Sequence, residues 1–309
     1  MTVLRVEGLC KSYPRFQLKD VSFSLDKGRI MGFIGRNGAG KTTTLKSLLN
    51  FVHPDAGKIE FFGSSLAQDE RGIKQKLGFV SGGVEFYPHK KLDVITRVTR
   101  SLYDNWDDGA YAEYMRRFAL DGDKTPEQLS AGMKVKYALT LALSHNAQLL
   151  MLDEPTSGLD PVSRDELTDI FLSLVRKEGV SILFSTHITS DLDKCADDIA
   201  YIRGGRIVEV GELDAFVKGW RLVRFAEGEV SEGQMPMLVG CRQGKKEFTA
   251  LVRAQDAQKL SVAGEKADLE TIMVHLEREG EACWSSSRRN FRWRCIPRRG
   301  SFWRCRRCC

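Results

Sequence analysis

Apolar and polar residues alternate along several short stretches of the N-terminal region, and this period of two predicts β-strands. The predicted strands are TVLRVEGL (2–9), LKDVSFSL (18–25), RIMGFIG (29–35), KIEFFG (58–63) and KLGFV (76–80). A helix is expected from about Lys41 to Asn50, shortly after the apolar run that ends in Gly35. Residues 2–34 are therefore expected to form strands, with KIEFFG and KLGFV as further short strands after the helix.

From residue 92 to 146 the pattern changes to apolar residues at three- and four-residue spacing, as in YAEYMRRFAL and VKYALTLALS, which predicts helices. Strands and helices then alternate. The elements in order are AQLLMLD (147–153), a helix after Pro161, GVSILFS (179–185), a short helix after Thr189, and DDIAYIRGG (197–205). Buried strands that alternate with helices predict an α/β fold whose sheet has a parallel core. The helical block at 92–146 is predicted to form a subdomain at the side of that sheet.

After about Gly219 the pattern changes again, to strands with few helices between them. The predicted strands are RLVRFAEGEV (221–230), MPMLVGCRQ (235–243) and KEFTALVRA (246–254), and the predicted helices are AQKLSVA (257–263) and DLETIMVHLERE (268–279). We therefore predict an α/β domain over residues 1–219, a small α+β appendage over 220–280, and a separate tail over 281–309.

The net charge of +6 is concentrated in the tail. Nine arginines and one glutamate give residues 281–309 a charge of +8, which leaves −2 for residues 1–280. A nearly neutral body gives no reason to expect nucleic acid as a ligand. No apolar run is long enough to cross a bilayer, and the first residues, MTVLRVEGLCKSYP, lack the apolar core of a signal peptide. We therefore expect a cytoplasmic protein.

The tail, RRNFRWRCIPRRGSFWRCRRCC, has no helical or strand period and allows three interpretations. Arginine with tryptophan and phenylalanine could lie on an anionic membrane surface. Cys305 and Cys308 form a C-x-x-C pair, but a zinc site needs a second pair that the tail does not clearly offer. Five of the eight cysteines and three of the five tryptophans fall within residues 281–309. That abrupt change favours the third interpretation, a frameshifted or readthrough end that is disordered.

GRNGAGKTT, at residues 35–43, matches the phosphate-loop (P-loop) pattern G-x-x-x-x-G-K-[ST] between a predicted strand and a predicted helix. Its glycines let the backbone turn N–H groups toward phosphate oxygens, Lys41 can reach the β- and γ-phosphates, and the Thr42 hydroxyl can hold Mg²⁺. A glycine-rich turn that merely caps the helix is the alternative, and it does not explain the complete pattern. The predicted nucleotide-binding residues of this loop are Gly35, Asn37, Gly38, Gly40, Lys41, Thr42 and Thr43.

The stretch LLMLDEP, at residues 149–155, is an apolar strand that ends in two acids. Asp153, at the end of the strand, can hold Mg²⁺ through water. Glu154 is placed to orient or deprotonate a water that attacks phosphate. An ordinary acidic pair at a strand end is the alternative, and the P-loop in the same chain argues against it.

Three further stretches accompany these two motifs: LSAGM (129–133), SGLD (157–160) and STH (185–187). LSAGM begins 20 residues before Leu149, SGLD follows the acidic strand, and STH ends the next predicted strand. The whole set, in this order, resembles the ATP-binding subunit of ABC transporters over about residues 2–218. The resemblance implies an ABC-type P-loop NTPase fold with a helical subdomain, and ATP with Mg²⁺ as its ligands.

In that family two nucleotide-binding domains face each other head to tail, and each ATP lies between the P-loop of one domain and the LS-x-G stretch of the other. The resemblance therefore implies that Ser130 and Gly132 contact the ATP of a partner domain, either a second copy or a paralogue. It implies that His187 contacts the γ-phosphate and supports Glu154. It also implies that Asp160 meets its counterpart across the dimer.

Tyr13 lies upstream of the P-loop, where the family has an aromatic residue that stacks on adenine, although a packed loop residue is the alternative. Within LSAGM, Ala131 and Met133 depart from the family's usual LSGGQ. Ala131 adds only a methyl group, and Met133 removes a polar side chain that would lie at the edge of the site. Because Ser130 and Gly132 remain, we expect function to survive.

A larger departure is Gly82, which stands in GFVSGGVEFYP where the family has a glutamine that helps to hold Mg²⁺ and the attacking water. Glycine has no side chain to contribute, and Glu85 could substitute only if the loop is shifted; a solvated loop acid is the favoured interpretation of Glu85. We predict slow but real ATP hydrolysis, and Gly82→Gln is expected to raise the rate. An unchanged rate and Mg²⁺ dependence in the Gly82→Gln variant would contradict the prediction that this position limits the site.

The leading functional hypothesis is an ATPase subunit that dimerises on ATP and drives a separate membrane permease, and so lies on the inner face of the cell membrane. Export is favoured because the appendage resembles those of some export-type bacterial subunits. A soluble ABC-type ATPase acting on ribosomes or nucleic acid is the alternative. Translation-type relatives carry two cassettes, and chromosome-type relatives insert a long coiled coil where only 88 residues separate Lys41 from Leu129 here. A small-molecule kinase or GTPase does not explain LSAGM, SGLD and STH together.

Overall fold

The computed structural model describes residues 1–81, 87–245 and 247–278, and the short strands Trp293–Cys295 and Cys305–Arg307. The chain divides into two compact units, Met1–Leu213 and Asp214–Cys309, which are described separately below. The predicted limits at residues 219 and 280 remain predictions about which segments fold on their own. Gly82 and Glu85 lie outside the described residues.

The first unit contains two sheets and a set of helices. Its strands are β1 (Thr2–Tyr13), β2 (Phe16–Asp26), β3 (Ile30–Ile34), β4 (Ala56–Phe61), β5 (Leu77–Ser81), β6 (Leu149–Asp153), β7 (Ser181–Thr186), β8 (Asp198–Arg203) and β9 (Arg206–Glu212). Its helices are α1 (Lys41–Leu48), α2 (Leu66–Gln75), α3 (Leu92–Arg100), α4 (Asp108–Arg117), α5 (Ala131–Ser144), α6 (Pro161–Ser173) and α7 (Thr189–Cys195). A π-helical turn, Leu174–Glu178, extends α6.

The larger sheet has the strand order β5-β6-β7-β3-β8-β9. The first five strands run parallel and β9 runs antiparallel to β8, which confirms the predicted parallel core. Strands β3, β6 and β7 are buried along their whole length, which explains their apolar sequences. Because β6, β7 and β3 are parallel neighbours, the loops that follow them meet at one edge of the sheet.

The smaller sheet, of order β2-β1-β4, is antiparallel. One face of its strands packs against the larger sheet in a shared core, where the Phe23 and Phe33 rings lie 5.4 Å apart. Leu4, Leu25 and Met31 are almost completely buried in this core. The alternation seen in the sequence of β2 therefore separates a core face from a solvent face.

Helices α3, α4 and α5 surround a separate core within the first unit. Leu92, Ile95, Tyr137 and Leu141 are buried there. The Tyr137 hydroxyl lies 2.9 Å from Thr96 Oγ1 and donates to the Leu92 carbonyl at 2.9 Å, so its polar atom is satisfied inside an apolar cluster. This group of helices is the predicted helical subdomain.

Two elements of the first unit were missed by the sequence pattern. In α2 only Ile73 is buried, so the helix has almost no apolar stripe. Strand β9 joins β8 through Gly204 and Gly205, both with positive φ angles of 55° and 77°, as a two-residue hairpin requires. The Gly-Gly pair could have predicted this hairpin.

The second unit contains a four-stranded antiparallel sheet of order β11-β12-β10-β13. Its elements are β10 (Trp220–Phe225), β11 (Val239–Gln243), β12 (Phe248–Arg253), β13 (Gly264–Lys266) and α9 (Leu269–Leu276), preceded by α8 (Leu213–Lys218). A Cβ atom at Gly240 would lie 1.7 Å from the His275 carbonyl oxygen, so glycine is needed for α9 to pack on β11. The unit is the α+β fold predicted for the appendage.

The helix predicted for AQKLSVA, residues 257–263, is wrong. The structure has a single 3₁₀ turn, Ala257–Lys259, followed by an irregular segment. The Gln234 side chain donates to the Lys259 carbonyl at 2.8 Å, and the Ser261 hydroxyl donates to the Glu229 carbonyl at 2.6 Å. These side-chain bonds engage the segment in place of helical backbone bonds.

The tail was predicted to be disordered. For Trp293–Cys295 (β14) and Cys305–Arg307 (β15) this prediction is wrong, because the two strands pair antiparallel. The rest of the tail lies outside the described residues.

Candidate functional site

The P-loop lies between β3 and α1, at the edge of the parallel sheet where β6 and β7 also end. Gly38 and Gly40 have φ angles of 80° and 116°, a region that favours glycine. A Cβ atom at Gly35 would lie 2.3 Å from the Ile202 carbonyl oxygen. Positive φ angles at Gly38 and Gly40, and lack of space for a side chain at Gly35, therefore favour glycine at these three positions.

The other predicted P-loop residues lie on the loop tip and the first turn of α1. Asn37 is exposed at the tip, and Thr42 and Thr43 follow Lys41 in the helix. No acidic residue occupies the first turn of α1. The positive end of the helix dipole is therefore free to favour an anion at the loop.

Lys41 is buried, with 5% of its surface exposed, yet its ammonium group has three polar partners. It donates to the carbonyl oxygens of Gly35 at 2.8 Å and Arg36 at 3.3 Å. It also lies 3.0 Å from Glu154 Oε1. These contacts hold a positive charge against the inner side of the P-loop.

Asp153 is buried at the end of β6 and accepts hydrogen bonds from two hydroxyl groups. Thr42 Oγ1 donates to Asp153 Oδ1 at 3.1 Å, and Ser185 Oγ donates to the same oxygen at 2.6 Å. The Thr42 hydroxyl and the Asp153 carboxylate thus supply two hard oxygen donors at one point beside the P-loop. Such donors suit Mg²⁺.

Both carboxylate oxygens of Glu154 have polar partners. Oε1 pairs with Lys41, and Oε2 lies 2.8 Å from His187 Nδ1. The backbone of Glu154 has a φ angle of 51°, the left-handed region that is unfavourable for a residue with a side chain. Its N–H group donates to the Ser185 hydroxyl at 3.0 Å, which helps to hold this conformation and directs the carboxylate between Lys41 and His187.

Ser185 is a residue of this site that sequence reasoning did not select, although it lies within the STH stretch. Its hydroxyl donates to Asp153 and accepts from the Glu154 N–H group. Asp153 and Ser185 are paired in the register of β6 and β7, which explains how one hydroxyl reaches both acids. That register was not available from the sequence.

A second group of predicted residues forms around the N-termini of α5 and α6. Ser130 caps α5, and its hydroxyl accepts from the Met133 N–H group at 3.2 Å. A Cβ atom at Gly132 would lie 3.6 Å from Ser163 and 3.9 Å from Leu159. Among the described residues, no hydrogen bond or ion pair joins Ser130 or Gly132 to the P-loop group.

Asp160 caps α6 and accepts from the backbone N–H groups of Val162 at 3.0 Å and Ser163 at 3.1 Å. The Ser163 hydroxyl also donates to Asp160, and these hydrogen bonds hold the pKa of the Asp160 carboxyl below its usual range. Asp160 is therefore an ionised, exposed residue at the start of α6.

Met133 was expected at the edge of the site, but it is half-buried and packs against the core of the helical subdomain. Its side chain anchors the first turn of α5.

Tyr13 ends β1 with 42% of its surface exposed. It pairs with Phe16, whose ring would lie 2.8 Å from a Cβ atom at Gly40. Tyr13 is thus next to a strand pair that touches the end of the P-loop.

A P-loop at the carboxyl edge of a parallel sheet, facing an Asp-Glu pair and a histidine on neighbouring strands, defines a P-loop nucleoside triphosphatase. The sequence profile described as "ABC transporter" matches residues 18–157. The bacitracin transport ATP-binding protein BcrA of Bacillus licheniformis is 30% identical over 75% of this chain and 76% of its own length. The lantibiotic transport ATP-binding protein SrtF of Streptococcus pyogenes is 33% identical over 69% of this chain and 92% of its own length.

Solved structures agree with this assignment. The ATP-binding subunit of an ABC transporter matches with 29% identity and a TM-score of 0.62, covering 69% of this chain and 91% of that one. A dimeric ATP-binding cassette bound to ADP and Pi has the same fold, with a TM-score of 0.60 at 20% identity over 68% of this chain and 98% of that one. The chain belongs to the ATP-binding subunits of ABC transporters, which are ATPases that couple ATP hydrolysis to transport.

In the part of the chain that the structure describes, no helix has the length and hydrophobicity needed to cross a membrane.

Proposed function

We propose that this chain hydrolyses ATP as one of two paired nucleotide-binding domains and drives a separate membrane permease, in the direction of export. The observation that carries the proposal is the position of Glu154, held between Lys41 and His187 beside Asp153. A carboxylate in this position can serve as a base, and the P-loop beside it can hold the phosphate chain.

In the proposed reaction the phosphate oxygens of ATP replace the Glu154 carboxylate at Lys41. Glu154 is then free to accept a proton from the water that attacks the γ-phosphorus, while the bond to the β–γ bridging oxygen breaks. His187 supports Glu154 at Oε2 and lies where it can also contact the γ-phosphate. The 3.0 Å contact between Lys41 and Glu154 supports this exchange, because it shows that the ammonium group reaches the space between the loop and the base.

The residues that would hold Mg²⁺ are Thr42 and Asp153, whose oxygens lie 3.1 Å apart. When bound, Mg²⁺ neutralises charge on the β- and γ-phosphate oxygens. Ser185 orients Asp153 through its 2.6 Å hydrogen bond. The fit to Mg²⁺ rests on the donor set, which consists of a hydroxyl and a carboxylate.

The group formed by Ser130, Gly132 and Asp160 is proposed to complete the ATP site of the partner domain. Ser130 and Gly132 lie at the N-terminus of a 14-residue helix, whose dipole favours an anion there. Their separation from the P-loop group supports a role toward another domain. The partner domain is a second copy of this chain or a paralogue.

The permease is proposed to contact the outer side of α3. Val94 and Val98 lie on α3, and Leu102 lies in the turn two residues after its end; these three residues, at four-residue spacing, are 39%, 53% and 66% exposed. A row of exposed apolar residues on a helical subdomain is typical of a surface covered by a partner. Docking to a permease would place the chain on the inner face of the cell membrane.

Export is supported by the fraction of each relative's length that this chain covers. The chain covers 76% and 92% of the proteins named for bacitracin and lantibiotic transport. It covers only 59% of the choline transport ATP-binding protein OpuBA of Bacillus subtilis, at 30% identity. The architecture therefore matches the peptide-antibiotic transport proteins more completely.

Membrane recovery of the full chain from its native host tests the permease proposal. We expect the parent chain to co-purify with a polytopic membrane protein, and the double variant Val98→Glu with Leu102→Glu to lose that association while binding ATP normally, because two charges cannot be buried at the contact. Val208→Glu is the matched control, because Val208 is an exposed apolar residue on β9. This variant should behave as the parent. Recovery with ribosomes, or unchanged membrane association of the double variant, would contradict the proposal.

A further inference from the structure

Asp191, on α7, is a buried acid that the proposed reaction does not use. Only 1% of its surface is exposed, and its nearest cation is Arg164 on α6, with 3.8 Å between Arg164 Nε and Asp191 Oδ1. Within the described part of the chain, Asp191 Oδ2 and Arg164 Nε are buried without a hydrogen bond of good geometry. A native fold rarely leaves two such atoms within one ion pair, so the pair requires an explanation.

Burial raises the pKa of the Asp191 carboxyl, and the Thr156 hydroxyl and the Arg164 guanidinium oppose that rise. The charges of Lys194 and His187 act in the same direction as Arg164.

The Arg164–Asp191 pair lies between two loops that belong to different ATP sites in the proposed dimer. Asp191 lies on the first turn of α7, four residues after His187, which precedes the helix. Arg164 also donates to the carbonyl oxygen of Leu159 at 3.3 Å, directly before Asp160. One guanidinium group therefore contacts the helix that follows His187 and the loop that carries Asp160.

Residues next to Arg164 also lie close to Gly132, in the LSAGM stretch. The side chain of Leu159 lies 3.9 Å from the position of a Cβ atom at Gly132, and Ser163, next to Arg164, lies 3.6 Å from it. A shift of Arg164 would therefore move the neighbours of Gly132. The path begins at the carboxylate–histidine pair of one site and ends at residues proposed to serve the other.

Packing of α6 on α7 does not by itself explain the pair. Asp191 is fully buried and 28% of the Arg164 side chain is exposed, so desolvation of the carboxylate offsets much of the attraction and the pair contributes little net stability. The surface pair formed by Lys194 and Asp165 already joins the same two helices. An apolar pair at positions 164 and 191 could fill the same space without burying charge.

We propose that Arg164 and Asp191 form a positioning pair that couples the His187 loop to the Ser157–Asp160 loop, so that the state of one ATP site is transmitted to the other. This inference rests on the proposed pairing of two nucleotide-binding domains.

The test measures steady-state hydrolysis of Mg²⁺-ATP by the full chain, with ATP binding and the thermal midpoint measured on the same samples. Asp191→Asn is expected to lower kcat by about tenfold and to remove cooperativity toward ATP, while KM stays near the parent value. Asp191→Glu, which keeps the charge, should recover most of the rate. Asp165→Asn, at the surface pair between the same helices, is the matched control and should leave kcat unchanged.

A purely structural role predicts a different pattern. In that case the apolar double variant, Arg164→Met with Asp191→Leu, restores packing and recovers both rate and cooperativity, which would overturn the proposal. Unchanged kcat and cooperativity in Asp191→Asn would also overturn it. If the parent chain itself does not hydrolyse ATP, the proposed function fails first, and that outcome is visible before any variant is compared.

Discussion

Glu154→Gln should leave ATP binding intact while lowering the rate of hydrolysis by about 10²- to 10⁴-fold. Glutamine has nearly the same shape and can still accept from Lys41, but its amide cannot take the proton of the attacking water. Its N–H donor to Ser185 is unchanged, so the backbone at position 154 is expected to keep its conformation. The rate of phosphate release under saturating Mg²⁺-ATP measures the effect.

ATP that is bound but not hydrolysed should hold two chains together, so the Glu154→Gln variant with ATP is expected to elute from a sizing column as a dimer. Glu70→Gln is the matched control, because Glu70 is exposed on α2 and, among the described residues, pairs with Lys74 alone. This variant should hydrolyse ATP like the parent. Hydrolysis at the parent rate by the Glu154→Gln variant would exclude Glu154 as the base. A monomer at high protein concentration would argue against self-pairing and leave pairing with a paralogue.

Lys41→Met is expected to weaken binding of Mg²⁺-ATP by at least about tenfold, because it removes a charge-assisted contact worth about 1.5–3 kcal/mol. The loss has a second cause. Without the ammonium group, one of the positive charges that offset Asp153 and Glu154 beside the phosphates is lost. Titration calorimetry measures the dissociation constant, and the thermal midpoint establishes that the variant is folded.

Lys46→Met is the matched control for Lys41→Met. Lys46 is an exposed residue of the same helix, so its substitution also removes one positive charge from α1. It should bind ATP with the parent dissociation constant. Equal affinity of the Lys41→Met variant and the parent would mean that the P-loop lysine does not contact the phosphates.

The parallel core could be predicted because β3, β6 and β7 each contain a mainly apolar run, which is typical of strands covered on both faces. The P-loop could be predicted because its glycines and lysine fall at fixed spacing. Helix α2 could not, since it buries only Ile73. The irregular segment after Lys259 could not either, because its conformation depends on hydrogen bonds from residues distant in sequence.

Within the site, the sequence predicted which side chains carry chemistry, and that remains a prediction; it did not predict how those side chains are held. The role of Ser185 depends on the register between β6 and β7, which pairs it with Asp153. The positive φ angle of Glu154 depends on the same strand, through its bond to Ser185. The functional assignments of Tyr13, Ser130, Gly132 and Asp160 remain predictions, because a partner domain and a nucleotide must be present to test them.

The helical subdomain has its own hydrophobic core, separate from the one beneath the P-loop. In the proposed dimer this separation has a genetic consequence. A substitution that disrupts the subdomain core, for example at Tyr137, is expected to leave the P-loop of the same chain intact. It would disrupt the Ser130 and Gly132 surface that is proposed to contact the partner's ATP. When mutant and normal copies pair, the ATP bound to the normal copy's P-loop therefore lacks a working partner surface. Such an allele is expected to be dominant over the normal one.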